Sequence, residues 1–192
     1  MRIRFKPIPS IEILRLVALL IVSTLSFGQK AIETIDATAM GTSTQLGKSF
    51  GVKVLIYEFS SPEDRATLVQ AYKEGQNEGL VNALTKMKSV GRISLPGTVG
   101  YDLSFIREIV TPTGRTIRFI TNRRIAFGES YWSTQTKDYN LTAGEITLNN
   151  EDKNKSQGVL FPAAQLTVNK DGELQFELNQ NAWKLTNIIE WK

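Results

Sequence analysis

The sequence predicts an α+β fold: one mainly antiparallel β-sheet, curled into a barrel-like or sandwich form, with a pair of short helices inserted after the first long strand. Three observations lead there. From Arg92 onward apolar residues alternate along short runs, the period of a strand with one dry face. Turn clusters separate the runs, the clearest being Thr111-Pro112-Thr113-Gly114 and Asn169-Lys170-Asp171-Gly172. Between Ser61 and Gly91 the apolar spacing changes to that of a helix.

The chain begins with Arg2, Arg4, Lys6 and Arg15 ahead of an uncharged apolar run from Leu16 to about Phe27, with the small residues Ser26 and Gly28 just before Gln29. That is the layout of a secretory signal peptide, and the run is shorter than the roughly 20 residues a membrane span needs. The expectation is a signal over residues 1–28, cut after Gly28, and a single domain over 29–192. The chain has no cysteine, so a lipid tether at the signal's end is excluded and the fold must hold without disulfides. A bacterial periplasmic or secreted protein fits best.

The segment from Lys30 to Gly51 is small and threonine-rich and reads as either an opening strand or a loose arm. Val52 to Phe59 is apolar on both parities, as in a strand covered on two faces. Ser61-Pro62-Glu63-Asp64 then reads as a helix start: a hydroxyl to cap free amides, proline where its missing N–H costs nothing, and acids at the positive end. Leu68, Val69 and Tyr72 form one helical stripe; Leu80, Leu84 and Met87 form the next. Gly75 ends or bends the first helix, and Gly91 is the expected left-handed terminator of the second.

A meander follows, giving about seven or eight strands in all. Val99, Tyr101, Leu103 and Phe105 alternate in one run, and Ile117 and Phe119 alternate in the next. Gly144 interrupts the run from Tyr139 to Asn149 and marks a possible bulge. The last runs are Val159–Asn169, Gly172–Asn179 and Ala182–Trp191.

Composition removes more functions than any motif adds. With no histidine there is no imidazole base and no Ser-His-Asp relay, and without histidine and cysteine zinc loses its preferred ligands. The sequence therefore predicts no cofactor and no metal. Residues 1–28 hold four of the 23 basic residues and one of the 19 acidic ones, so residues 29–192 are nearly neutral, at about +1. A nucleic-acid binder carries a lopsided basic surplus, so no nucleic-acid partner is expected. The membrane is expected as a partner only through the signal before cleavage.

Two motif-like stretches fail on spacing. Gly41 to Ser49 ends like a phosphate-binding loop, but five residues separate Gly41 from Gly47 where four are needed. Asp152 to Gly158 alternates oxygen-bearing residues like a calcium loop, but Gln157 and Ala163 stand where glycine and a bidentate acid belong.

The stretch with chemical character is Arg115–Phe127, with Arg115, Arg118, Arg123 and Arg124 threaded through isoleucine and phenylalanine. If it were one strand, Arg123 would share a face with Ile117 and Phe119. Either a turn at Thr121-Asn122 resets the register, or Arg123 points inward and needs a carboxylate or a ligand anion. Tyr131 and Trp132 add aromatic surfaces with polar tips close by. The functional expectation is an exported non-enzymatic protein binding a small molecule, a glycan or an envelope protein through Arg118, Arg123, Tyr131 and Trp132. The alternative is a hydrolase running on two carboxylates drawn from Asp102, Glu108, Glu129, Asp138 and Glu145.

The segments ATAMGT, SPEDRATLVQAYKEGQNEGLVNALTKMKSVGRI, GRTIRFITNRRIAFGE, DYNLTAGEITLN and AAQLTVNKDGELQFEL together resemble a group of predicted secreted bacterial proteins with no assigned activity. The resemblance implies export and a shared fold, and transfers no activity. Members often read Asp-Arg-Pro where this chain has Asn122-Arg123-Arg124, a departure that removes a turn proline and adds a charge.

Overall fold

The computed structural model describes residues 29–125, 139–171, 173–176 and 182–192, so the signal-peptide expectation over residues 1–28 lies outside the described residues. Ala31–Lys192 packs as one unit. Its strands are β1 (Glu33–Met40), β2 (Ser49–Ile56), β3 (Gly91–Ser94), β4 (Tyr101–Leu103), β5 (Phe105–Thr111), β6 (Gly114–Ile120), β7 (Leu141–Asn149), β8 (Gln157–Ala164), β9 (Leu166–Val168), β10 (Leu174–Phe176) and β11 (Trp183–Trp191). One kinked helix, α1 (Pro62–Lys86), lies between β2 and β3. The main sheet has nine antiparallel strands in the order β4-β3-β2-β1-β11-β8-β7-β6-β5, and β9 and β10 form a separate hairpin. The α+β, mainly antiparallel fold read from the sequence is the observed one.

The sheet curls into a nearly closed barrel because its two edge strands, β4 and β5, are consecutive in sequence. Leu103 is buried in the barrel interior, Phe105 is buried on the outer side, and Ile106 is again interior. The facing therefore flips at Ser104, and the run expected as one strand is two. Ser104 N–H reaches the Ile120 carbonyl at 3.1 Å, while Val90 N–H reaches Leu103 O at 2.8 Å, so the chain steps from one edge of the sheet to the other. The expected run Val159–Asn169 also divides, at Gln165, into β8 and β9. These two breaks, with the threonine-rich opening settling as β1, account for the extra strands.

The interior is a filled core. Ile35, Val54, Ile56, Ile93, Ile106 and Phe119 are among its fully or almost fully buried side chains, so the barrel packs solid along this zone. β2 departs from expectation: Val52, Val54 and Ile56 face the core, while Lys53 is exposed and Leu55 half-exposed. The helix explains the difference, because it covers the outer faces of β5 to β8 instead. Leu68, Leu80 and Leu84 of α1 pack there on Phe105, Ile120, Leu141 and Phe161.

Helix α1 starts as its sequence dictates. Ser61 Oγ accepts from Asp64 N–H at 3.1 Å and Asp64 Oδ2 accepts from Ser61 N–H at 2.8 Å, a reciprocal capping box. The helix bends at Gly75 and Gln76, which leave helical dihedrals, and gives the angled pair of segments expected. Gly91 is a correction: α1 stops at Lys86 with Met87 extended, and Gly91 opens β3. Glycine is required there for space, since a Cβ would stand 2.5 Å from both Ile106 Cδ1 and the Leu55 carbonyl. The Gly144 expectation is likewise shifted: the β7 irregularity falls between Leu141 and Ala143. Gly144 lies opposite Phe119, whose ring fills the place of its missing side chain, with Cζ 2.2 Å from where a Cβ would be.

Candidate functional site

The short turn Pro112-Thr113 pairs Thr111 with Gly114, and from that register Arg107 falls directly across from Arg118. Arg118 in turn lies across from Glu145 on β7. Arg107, Arg118 and Glu145 thus form one row over β5, β6 and β7 on the outer face. The adjacent row on that face is Phe105, Ile120 and Ala143, all buried. Like charges directly opposed on neighbouring strands are destabilising, so this row is held against a local penalty.

Two elements roof the row. Ser60 ties the start of α1 to β5, its N–H reaching Ile106 O at 2.7 Å and its Oγ accepting from Ile106 N–H at 3.0 Å. This brings Arg65 beside Arg107. The β9–β10 hairpin is anchored by the buried Asn77 of α1, which donates to Ala164 O at 2.7 Å and accepts from Leu166 N–H at 3.0 Å. At the hairpin's tip, Asn169 Oδ1 accepts from Glu173 N–H at 2.8 Å; at its base, Phe176 packs on Phe161 with ring centroids 4.7 Å apart.

Beneath the hairpin lies a small cavity of about 20 Å³, room for about one water molecule. Phe105, Ile120, Leu166, Leu174 and Phe176 supply its apolar wall, and Arg65, Arg107, Arg118 and Glu173 its polar end. One carboxylate, Glu173, is shared by two guanidiniums: Oε1 accepts from Arg65 and Oε2 contacts Arg107. Arg118 binds Glu145 through Nε and the Leu174 carbonyl through Nη1 at 3.2 Å. Three cations meet two anions. Burial first, then the charges of Arg65 and Arg118, push the Arg107 guanidinium below its ordinary value even with Glu173 in contact.

Of the residues expected from sequence, Arg118 is in this site. Arg123 is exposed, because β6 ends at Ile120 and the chain turns. The turn has a hydroxyl mechanism: Thr121 Oγ1 donates to Arg123 O, and Thr142 Oγ1 accepts from Ile125 N–H at 2.8 Å while donating to Pro162 O at 2.6 Å. Thr121 and Thr142 are fully buried, and Ile125 returns to the core. This is the register reset at Thr121-Asn122, and the inward Arg123 geometry is not adopted. Tyr131 and Trp132 lie outside the described residues, as do Glu129 and Asp138.

An arginine does point inward, and it is Arg115. Its side chain shares the interior parity of Ile117 and Phe119 and crosses the barrel end to meet Glu33 of β1 at 2.5 Å, Glu108 of β5 at 2.6 Å and Glu190 of β11 at 2.5 Å. Burial opposes its charge, but the bonds to Glu33 and Glu108 outweigh that and hold its pKa well above the ordinary value. Glu190 is held below the usual carboxylate range; burial acts the other way and is overcome by Lys192 and Arg115. Of the other candidate acids, Asp102 pairs with Arg92 at 2.8 Å and Glu145 with Arg118. Among the described residues no group of three or more acids is placed to hold a metal ion.

No family model, no curated protein and no solved structure matches this chain. The functional argument therefore rests on the residues of the site. The two short motif-like stretches add nothing to it: Gly41 to Ser49 is a turn leading into β2, with no helix after it, and Asp152 is occupied capping Asn154 N–H at 3.0 Å.

Proposed function

We propose that this chain is an exported, non-enzymatic binding protein whose small-molecule ligand is held at the arginine cluster of Arg65, Arg107 and Arg118 beside the β9–β10 hairpin. The observation that carries the reading is the Arg107–Arg118 register pair, two cations opposed at the polar end of a small apolar cavity with a third, Arg65, above them. Folds tolerate such a cost where a ligand gains from it. Export is supported by the basic-then-apolar pattern of residues 1–28. The resemblance to secreted bacterial proteins points the same way.

Hydrolysis by paired carboxylates fits less well. The described candidates Asp102, Glu108 and Glu145 each engage a different arginine, Arg92, Arg115 and Arg118, rather than facing one another as a pair. The test is native mass spectrometry of the protein purified from its own host, alongside an Arg118→Gln variant. A retained small molecule, depleted in the variant, is the expected result. Repeated recovery of bare protein, with no thermal shift across a broad metabolite set, would sink the proposal.

A further inference from the structure

Arg65 and Arg107 line two spaces: the one-water cavity beneath the hairpin, and an open cleft of about 310 Å³ between the start of α1 and the edge of β5. That volume falls within the roughly 300–1,000 Å³ usual for ligand pockets, and the cleft is reached from solvent with no element displaced. Its shape is set by Ser60, whose two bonds to Ile106 hold the segment entering α1 against β5. Phe59 and Pro62 form an apolar flank.

The cleft is rich in hydrogen-bond donors. Ser60 Oγ accepts from Ile106 N–H at 3.0 Å and Ser61 Oγ from Asp64 N–H at 3.1 Å, so each hydroxyl keeps its own proton to donate. Glu173 engages one nitrogen of each guanidinium, Nη1 of Arg65 and Nη1 of Arg107, and leaves their other N–H groups without a partner among the described residues. The acid in the lining, Glu108, is held by Arg115 at 2.6 Å. Arg65, Arg107 and Arg118 meet Glu173 and Glu145, so one positive charge is left over for an anion to balance. An anion there also relieves the Arg107 guanidinium, which burial and then the charges of Arg65 and Arg118 push down.

Geometry narrows the anion. The donors come from three places: β5, the segment before α1 and the first turn of α1. A carboxylate presents two oxygens in one plane, and Glu173 already fills that place between the two arginines. A phosphoryl or sulfuryl group presents three oxygens in different directions, which suits donors converging from separate elements. Resting on the binding reading above, we propose that the ligand carries a tetrahedral oxyanion, seated in the cleft on Arg65, Arg107 and the hydroxyls of Ser60 and Ser61, with a small apolar body against Phe59 and Pro62. Glu173 stays in place and orients both arginines, while Arg118 holds the hairpin through the Leu174 carbonyl at 3.2 Å.

The experiment is an NMR titration of the isotope-labelled protein with phenyl phosphate, phenyl sulfate and, as the planar control, benzoate, repeated on the Arg65→Gln and Arg107→Gln variants. The expected result is saturable amide shifts confined to Phe59–Arg65 and Arg107–Glu108 with at least one ester, benzoate at least about tenfold weaker, and either variant at least about tenfold weaker for the ester. Whichever ester binds tighter identifies the group as phosphate or sulfate, and equal binding shows that the seat reads the tetrahedral shape alone. If benzoate binds as tightly as the esters and the variants weaken it, the tetrahedral group is overturned while the arginine cluster survives as a binding site. If the esters bind the unaltered protein and both variants equally, or shift other residues, the seat in the cleft is overturned. If no probe binds, this inference falls, and the binding reading is decided separately by whether native mass spectrometry finds a retained molecule. Should one variant not fold by circular dichroism, the other carries the test.

Discussion

Replacing Arg115 by methionine removes the one cation that Glu33, Glu108 and Glu190 share at the barrel end. The Arg115 side chain is 13% exposed and that of Glu33 4% exposed, so the variant leaves a carboxylate with almost no water and no partner. Breaking a buried pair from one side costs about 3–5 kcal/mol. For a domain of this size each kcal/mol moves the midpoint by about 2–4 °C, so melting should fall by on the order of 10 °C. The effect has a pH signature. Glu190 is held below the usual carboxylate range, so its contribution is present above that range and is lost as pH falls through its folded value. Arg115 is raised, so its contribution would be lost only on the alkaline side, beyond ordinary working pH. In acid that Glu190 contribution is already lost from the unaltered protein, so the penalty of the variant shrinks. Urea unfolding followed by the fluorescence of the buried Trp183 at pH 7 and at pH 3.5 measures both effects. A loss below about 1 kcal/mol at pH 7, or an equal loss at both values, would refute the role given to Arg115.

Two further predictions concern the site's supports. Asn77→Ala strands the Ala164 carbonyl and the Leu166 N–H, at about 1–3 kcal/mol each, and should raise amide exchange in β9 and β10 before it does so in β1 or β11; uniform exchange would contradict the anchor. Gly144→Ala puts a methyl into the Phe119 ring and should cost about 1–3 kcal/mol in denaturant melts, with the loss reduced in a Phe119→Leu background; a neutral G144A would show that the ring is free to move.

Much of the fold was legible because local chemistry and long-range packing agree. Ser61-Pro62-Glu63-Asp64 announces a helix start and forms one; Pro112-Thr113 and Asn169–Gly172 announce hairpins that join β5 to β6 and β9 to β10. What was not legible are the two places where one apolar run serves two faces. Leu103 and Phe105 look like partners by parity, and only closure of the sheet assigns them to opposite sides at Ser104. Arg118 was found by its residue type. Arg107 could have been found as well, since counting back four residues from each side of the Pro112-Thr113 turn pairs it with Arg118. Arg65 and Glu173 carry no such signal, because the helix start and the hairpin tip meet only through tertiary packing. Arg115 was open to the parity argument applied to Arg123, and its three acids, spread from Glu33 to Glu190, were not.

The seam between β1 and β11 pairs Thr34 with Trp191 and Met40 with Lys184, the opposite extremities of the domain. Such a seam forms late, since the chain must search a loop of some 150 residues before the contact stabilises anything. Until β11 arrives, β1 and β8 are open ladders available to a neighbouring chain. A molecule whose synthesis is interrupted before Trp183 is thus an aggregation nucleus, and whatever escorts the nascent polypeptide has to shield those two ladders until the last strand is delivered.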